Sequence, residues 1–538
     1  MQRDTFSIPL RKTAEGELIE TRPLHVEEWL DTLPYIDFHR TCHLLVEACK
    51  LTNQQSIKPS VRLELIQLYH RPYLYYLESQ LRTGARHTLQ TIESMQGQIH
   101  LLKHLAVALG HACKITLAEE LDRKTMWRQS KPPIPVMLME LQFLSQALIF
   151  SYMEYSTTPK GVWQEINFIY GFAESLGAGN STVMPPGGKN TGSASTIANC
   201  YKRIMLTSLV DPHSLPFGAI WEIFDQLDDW TGLVNLGKMK PLSQPTGSFV
   251  IDLKGDTAPV PYSKYNIALA GEKHRLLETT MLTPLLQKHI AALNAKQHPD
   301  ENLKLSSYHA RTILTQMSKA YGLAPKRYSP RTAKTGSLEL ARGMNAIYYF
   351  VNNRQEFSAP DRQVDEQIDI DDNVTGYGPG EKEYTLEQWR LIDQGPGGYA
   401  LETDIKSSQA LRVGDLLGIC SPLTSADSII WELGVIRWLM VDQYTRYRAG
   451  IQKLAARIQP AAIRTVDGNA TDHPFRRALV PAAAATSGYN SIITDKGLFA
   501  PGRTLEISID ARIIKSVADS LLETMINHEH FNIKHLPS

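Results

Sequence analysis

At 538 residues, with 43% hydrophobic and 21% charged, the chain is long enough for roughly two to four domains with real cores, and its composition excludes a disordered protein. Lys plus Arg and Asp plus Glu both total 56, so there is no basic excess for long nucleic acid, while a local basic pocket for a small anion stays open. Five scattered cysteines (Cys42, Cys49, Cys113, Cys200, Cys420), none in a Cys-x-x-Cys pair, argue against a disulfide framework or a thiolate zinc site and for a reducing compartment.

Arg3, Asp4, Arg11, Lys12, Glu15 and Glu17 leave no apolar core for a signal peptide, so the protein is expected in the cytoplasm. After a polar arm of 25 residues, a helical N-terminal domain is expected to run to residue 176. Apolar residues recur there at three- and four-residue spacing over 42–48, 61–69, 73–81 and 99–121, with breaks at Pro34, Pro59, Pro72 and the Pro132–Pro135 cluster. The most apolar stretch, Ile134 to Phe150, is interrupted by Glu140, Gln142 and Gln146 and falls short of the roughly 20 residues a membrane span needs. It reads as a buried helix.

Residues 177–195 form a Gly/Ser/Pro-rich linker or loop. Lys189 is followed by Asn190 and no strand precedes it, so this is not a phosphate loop. A second helical region, 196–324, has helical periodicity over 197–209, 217–227, 274–293 and 306–321, with one β-hairpin at Phe249 to Asp256.

At Gly322 the texture changes. Strand-like runs at 346–351, 389–401, 416–420, 429–439 and 450–458, punctuated by glycine, predict an antiparallel barrel or sandwich over 325–465. An acidic insertion, 353–386, carries Asp361, Asp365, Glu366, Asp369, Asp371 and Asp372 and reads as a solvated loop. The C-terminal extension, 466–538, is expected to be β-rich, closing with a short helix from Val517 to Thr524. The fold class is thus multidomain α+β.

Catalytic patterns are thin. His100 and His104 are four apart on a helix, but the Glu of a His-Glu-x-x-His site is missing. His528, His530 and His535 have the wrong spacing for a metal and read as a solvated tail. No Gly-x-Ser-x-Gly elbow occurs. Neither a catalytic residue nor a metal or cofactor site is expected, and an enzyme would need an unrecognised site in the helical region.

The densest punctuation lies from Trp389 to Leu401, where Asp393-Gln394-Gly395-Pro396-Gly397-Gly398 joins two strands, followed by Val413-Gly414-Asp415-Leu416-Leu417. Upstream, Arg327-Tyr328-Ser329-Pro330-Arg331 leads into the first strand. With Gly434 to Leu439 and Gly450 to Leu454, these segments resemble the PilZ domain family, bacterial receptors for cyclic di-GMP, over about residues 325–460. The family signature is Arg-x-x-x-Arg ahead of a small antiparallel barrel, then Asp or Asn, x, Ser, x, x, Gly. Gly395 stands where the family has Ser, and the acidic insertion makes the spacing longer than usual. Arg82 and Arg86 repeat the arginine pattern, so position before the barrel carries the information. The resemblance implies a PilZ-like barrel, cyclic di-GMP as ligand, a protein partner reached through the helical region, and an output in motility, pili or biofilm.

The residues themselves suit such a ligand. Arg327 and Arg331 can fork onto phosphate or guanine O6 and N7 and stack on a base. Asp393 can accept from guanine N–H groups, while Gly395 and Gly398 let backbone approach. Two alternatives stand beside this one: the arginines form an interdomain salt-bridge pair and the glycines only a turn, or the barrel is a ligand-independent adaptor for protein contacts.

Overall fold

The structure is a computed structural model and describes residues 19–84, 92–126, 133–183, 195–295, 303–305, 310–322, 332–360, 384–404, 411–421, 429–442, 446–466, 473–482, 490–525 and 527–536. The chain divides into two compact units, Met1–Lys326 and Arg327–Ser538.

The first unit opens with helices α1 (Pro23–Asp31), α2 (Phe38–Gln54), α3 (Pro59–Gly84), α4 (Ile92–Met126), α5 (Ile134–Met153), α6 (Val162–Ser175), α7 (Ile197–Leu209) and α8 (Ala219–Trp230). The expected break at Pro72 does not occur, because α3 carries Pro72 in its interior. Tyr69, Tyr73, Tyr76 and Leu77 are buried on both sides of it, and this packing outweighs the lost hydrogen bond. Pro59 sits at the start of α3, where proline is tolerated. As predicted, α5 is a core helix, with nearly every residue from Val136 to Met153 buried.

A small sheet follows, β1 (Asn235–Lys238), β2 (Ser248–Asp252), β3 (Val260–Pro261) and β4 (His274–Glu278), in the order β1-β4-β2-β3. The expected lone hairpin is therefore part of a four-stranded sheet. The start of the helix predicted over 274–293 is instead β4, and α9 (Leu282–Asn294) begins only after it. His274 to Leu277 are buried on both faces, so this short run carries no alternation to mark it as a strand. The unit ends with α10 (Ala310–Tyr321).

The second unit holds two closed antiparallel barrels of six strands. The first consists of β5 (Thr332–Arg342), β6 (Glu387–Gly395), β7 (Gly398–Asp404), β8 (Leu416–Cys420), β9 (Glu432–Val441) and β10 (Arg446–Ala455), ordered β10-β7-β6-β5-β8-β9. The second consists of β11 (Ile458–Thr465), β12 (Arg476–Pro481), β13 (Ser491–Thr494), β14 (Thr504–Ile509), β15 (Arg512–Thr524) and β16 (Glu529–His535), ordered β11-β12-β13-β16-β15-β14. Closure leaves neither sheet with a free edge.

Three local elements differ from the sequence expectation. The predicted strand Ala346–Val351 is helix α11 (Gly343–Val351), entered through Gly343 at φ +79. Its uninterrupted apolar run fits a buried helix as well as a strand, and Met344, Ile347 and Tyr348 fall on one helical face. That face joins Leu416, Trp431 and Leu433 of the first barrel to Ile458, Leu479 and Ile493 of the second in one core. The predicted closing helix, Val517–Thr524, is part of β15, paired with both β14 and β16. The three C-terminal histidines are no solvated tail: His530 and His535 lie in β16 and His528 just before it, with His528 buried.

Candidate functional site

The register between β5 and β6 positions the signature. Thr332 pairs with Gln394 and Ala333 with Asp393, so the segment ending at Arg331 runs directly into a strand start beside the β6–β7 hairpin. Arg327 and Arg331 themselves lie outside the described residues. Asp393 is half-buried and opposite Ala400. Gly395 and Gly398 face each other across the Pro396-Gly397 turn, and the Gly397 carbonyl accepts from the Lys453 N–H at 3.0 Å.

Gly398 has a reason to be glycine that needs no ligand. Its φ is +150, and a Cβ built there would stand 1.9 Å from the Ile451 carbonyl oxygen on β10. Barrel closure alone excludes a side chain.

From Asp393, one cross-strand row continues over the barrel. Asp393 pairs with Ala400, Ala400 with Gly450, and Gly450 with Trp438, so these four residues share a face of β6, β7, β10 and β9. Arg446, Arg448 and Gln452 alternate with Gly450 along β10, whereas Ala449 and Ile451 are buried, so this face is the barrel exterior. The Trp438 indole lies flat on the strand: a Cβ on Gly450 would meet its Nε1 at 1.8 Å. One indole face is thus pressed on backbone, and the residue is half-buried.

Farther along the same face, Glu402 lies opposite Arg390 on one side and Arg448 on the other. Its carboxylate accepts from Arg390 and, at 3.3 Å, from Arg446, with Arg448 Nε 3.6 Å away. Arg390, Glu402 and Arg446 line an open cleft of about 630 Å³. Below the hairpin, the Lys453 ammonium lies 2.8 Å from Glu432 and 5.1 Å from the Tyr399 ring centre, and Tyr399 donates to Glu432. Burial and this bond to a carboxylate raise the Tyr399 phenol, so it stays protonated.

In the sequence, Trp438 and Gly450 read only as members of barrel strands. On β10 the shared face of Gly450 and the arginines is signalled by alternation, since Arg446, Arg448, Gly450 and Gln452 are two apart, whereas Trp438 on β9 joins them only through strand register. In the helical unit, His100 Nδ1 is 2.9 Å from Glu154, and among the described residues no three His, Cys, Asp or Glu side chains converge as a metal site.

A carboxylate, a flat indole and guanidinium groups on one small-residue face suit a planar, hydrogen-bonding, anionic ligand. Residues 24–241 match the family model described as the N-terminal domain of the cyclic-di-GMP receptor FimW. Residues 248–375 and 361–460 match that of its middle PilZ domain. The chain is also 22% identical over 557 aligned positions to the cyclic-di-GMP receptor FimW of Pseudomonas aeruginosa, an alignment covering 94% of this chain and 89% of that protein. With the barrel, the signature hairpin and the matched segment coinciding, the chain carries a PilZ domain within residues 248–460.

Proposed function

We propose that this chain is a cyclic di-GMP receptor whose ligand lies on the exterior of the first barrel, across the row from Asp393 to Trp438. The observation that carries the proposal is the pairing of Thr332 with Gln394 and Ala333 with Asp393, which brings the end of the arginine segment to the hairpin. The names of the matched families and of the relative point the same way. In this reading Arg327 and Arg331 close over the phosphates and guanine edges, Asp393 accepts guanine N–H groups, and Trp438 offers its outer face to a base. Gly395 in place of serine removes one hydroxyl, so binding is weaker by about three- to tenfold, the worth of one net hydrogen bond.

The receptor acts in the cytoplasm on a protein partner through the helical region, with motility, pili or biofilm as the output. The partition into a helical domain (1–176), a second helical region (196–324), a barrel domain (325–465) and a C-terminal extension (466–538) belongs to the same proposal, except that β11 (Ile458–Thr465) goes with the extension, because it closes the second barrel. The ligand-independent adaptor is favoured by one observation, that Gly398 is explained by packing alone. Calorimetric titration with cyclic di-GMP separates the two readings: saturable heat supports the receptor, and none at high micromolar ligand supports the adaptor.

A further inference from the structure

The second barrel lies almost wholly beyond the matched PilZ segment, which ends at residue 460. It is nevertheless tied to the hairpin site by a short polar chain. Gln452 stands opposite Gly398, the residue that starts β7 after the turn. Its Oε1 accepts from Arg437 Nε at 2.6 Å. The other two nitrogens of Arg437 fork onto the carboxylate of Glu523 in β15, one to Oε1 and one to Oε2 at 2.9 Å. A two-pronged guanidinium–carboxylate pair fixes orientation as well as distance, so it transmits a small displacement that a single flexible contact would absorb.

The receiving end is irregular. The β15–β16 register shifts between Ala518 and Leu521 and again between Leu521 and Glu523, so Glu523 sits where the ladder is interrupted. Beside it, Leu521 and Leu522 are 41% and 52% exposed. Two residues on, the Met525 sulfur is 3.2 Å from where a Cβ on Gly414, in the first barrel, would stand. A displaced Glu523 therefore has slack on its own strand and a second contact to follow.

We propose that Arg437 is a positioning residue that couples the hairpin site to the second barrel. Ligand closing on the hairpin moves Gln452, Arg437 follows, and the bulged end of β15 changes its pairing and its exposed Leu521–Leu522 pair. The proposal rests on the receptor reading of the hairpin.

The test is hydrogen exchange over residues 512–535 of the full chain, with and without saturating cyclic di-GMP, alongside calorimetry. Wild type is expected to bind and to change exchange in β15. Arg437→Gln and Glu523→Gln are expected to bind no more weakly than wild type, since ligand no longer has to drive β15 out of its resting pairing, and to lose the exchange change at saturation. The charge-swapped pair Arg437→Glu with Glu523→Arg is expected to recover it. Glu523→Gln keeps the shape of the site and decides the matter if Arg437→Gln fails to fold. Binding by wild type with unchanged β15 exchange overturns the coupling, as does an exchange change that survives in Glu523→Gln. Absence of heat with wild type is a separate outcome that overturns the receptor reading, and the coupling with it.

Discussion

Asp393 and Trp438 stand at the two ends of one cross-strand row on the first barrel, with only Ala400 and Gly450 between them. Three strand spacings separate them, roughly 14 Å along the sheet. An acceptor for a base edge and a platform for a base face are thus held by a rigid barrel rather than by loops. Trp438→Ala should lower cyclic di-GMP affinity by the worth of one base–aromatic stack, about 1–3 kcal/mol, and Trp438→Phe should lose less. Calorimetry on the two variants checks the order.

Gly395→Ser restores the residue that the family signature has at this position. The added hydroxyl should strengthen ligand binding by about three- to tenfold without altering the fold. Titration of wild type and variant side by side, with far-ultraviolet circular dichroism as the fold control, measures this.

Gly398→Ala should destabilise the barrel whether or not ligand is present. Its Cβ would meet the Ile451 carbonyl at 1.9 Å, and the obstacle is backbone. A loss of roughly 2 kcal/mol or more is expected, because overpacking against a fixed strand cannot be relieved by a rotamer change. Gly397→Ala, whose Cβ meets nothing within 4 Å, should cost far less. Urea denaturation of both variants distinguishes steric need from turn preference.

Acid should destabilise the second unit partly through His528. Burial pulls its imidazole down to about 4, and among the described residues neither ring nitrogen has a hydrogen-bond partner. Because the unfolded histidine titrates near 6.5, the unfolded chain binds more protons between those values. Stability is therefore full above about 6.5 and lost as pH falls towards 4, by at most roughly 3 kcal/mol from this group. His528→Leu should flatten that part of the profile. His70 and His111, also pulled down to about 4 by burial, should leave the helical unit acid-sensitive in the variant.

What the sequence revealed, and what it did not, follows from how each signal is encoded. The barrel was readable because Asp393 to Gly398 is a dense turn between strands and strand runs recur at short intervals. The helix α11 was missed because six consecutive apolar residues fit either period, and burial among two barrels, rather than propensity, settles it. The strand Val517–Thr524 was misread because Leu521, Leu522 and Thr524 lie on an irregular ladder with no clean alternation. At the site, the signature located the hairpin, but the partnership of Asp393 with Trp438 depends on register across four strands. Register is fixed by bulges at Ile392 and near Gly450, which no local pattern announces.

In the proposed receptor the hairpin and the arginine segment before it form a cyclic di-GMP site. It is tested most directly by calorimetric titration of the full chain and of its Arg331→Ala variant with cyclic di-GMP. Saturable binding is expected from wild type, with a loss of tenfold or more in the variant, about 1.4 kcal/mol or above, as for a charge-assisted contact. Equal affinity in the two proteins, or no saturable heat from wild type at high micromolar ligand, would contradict it.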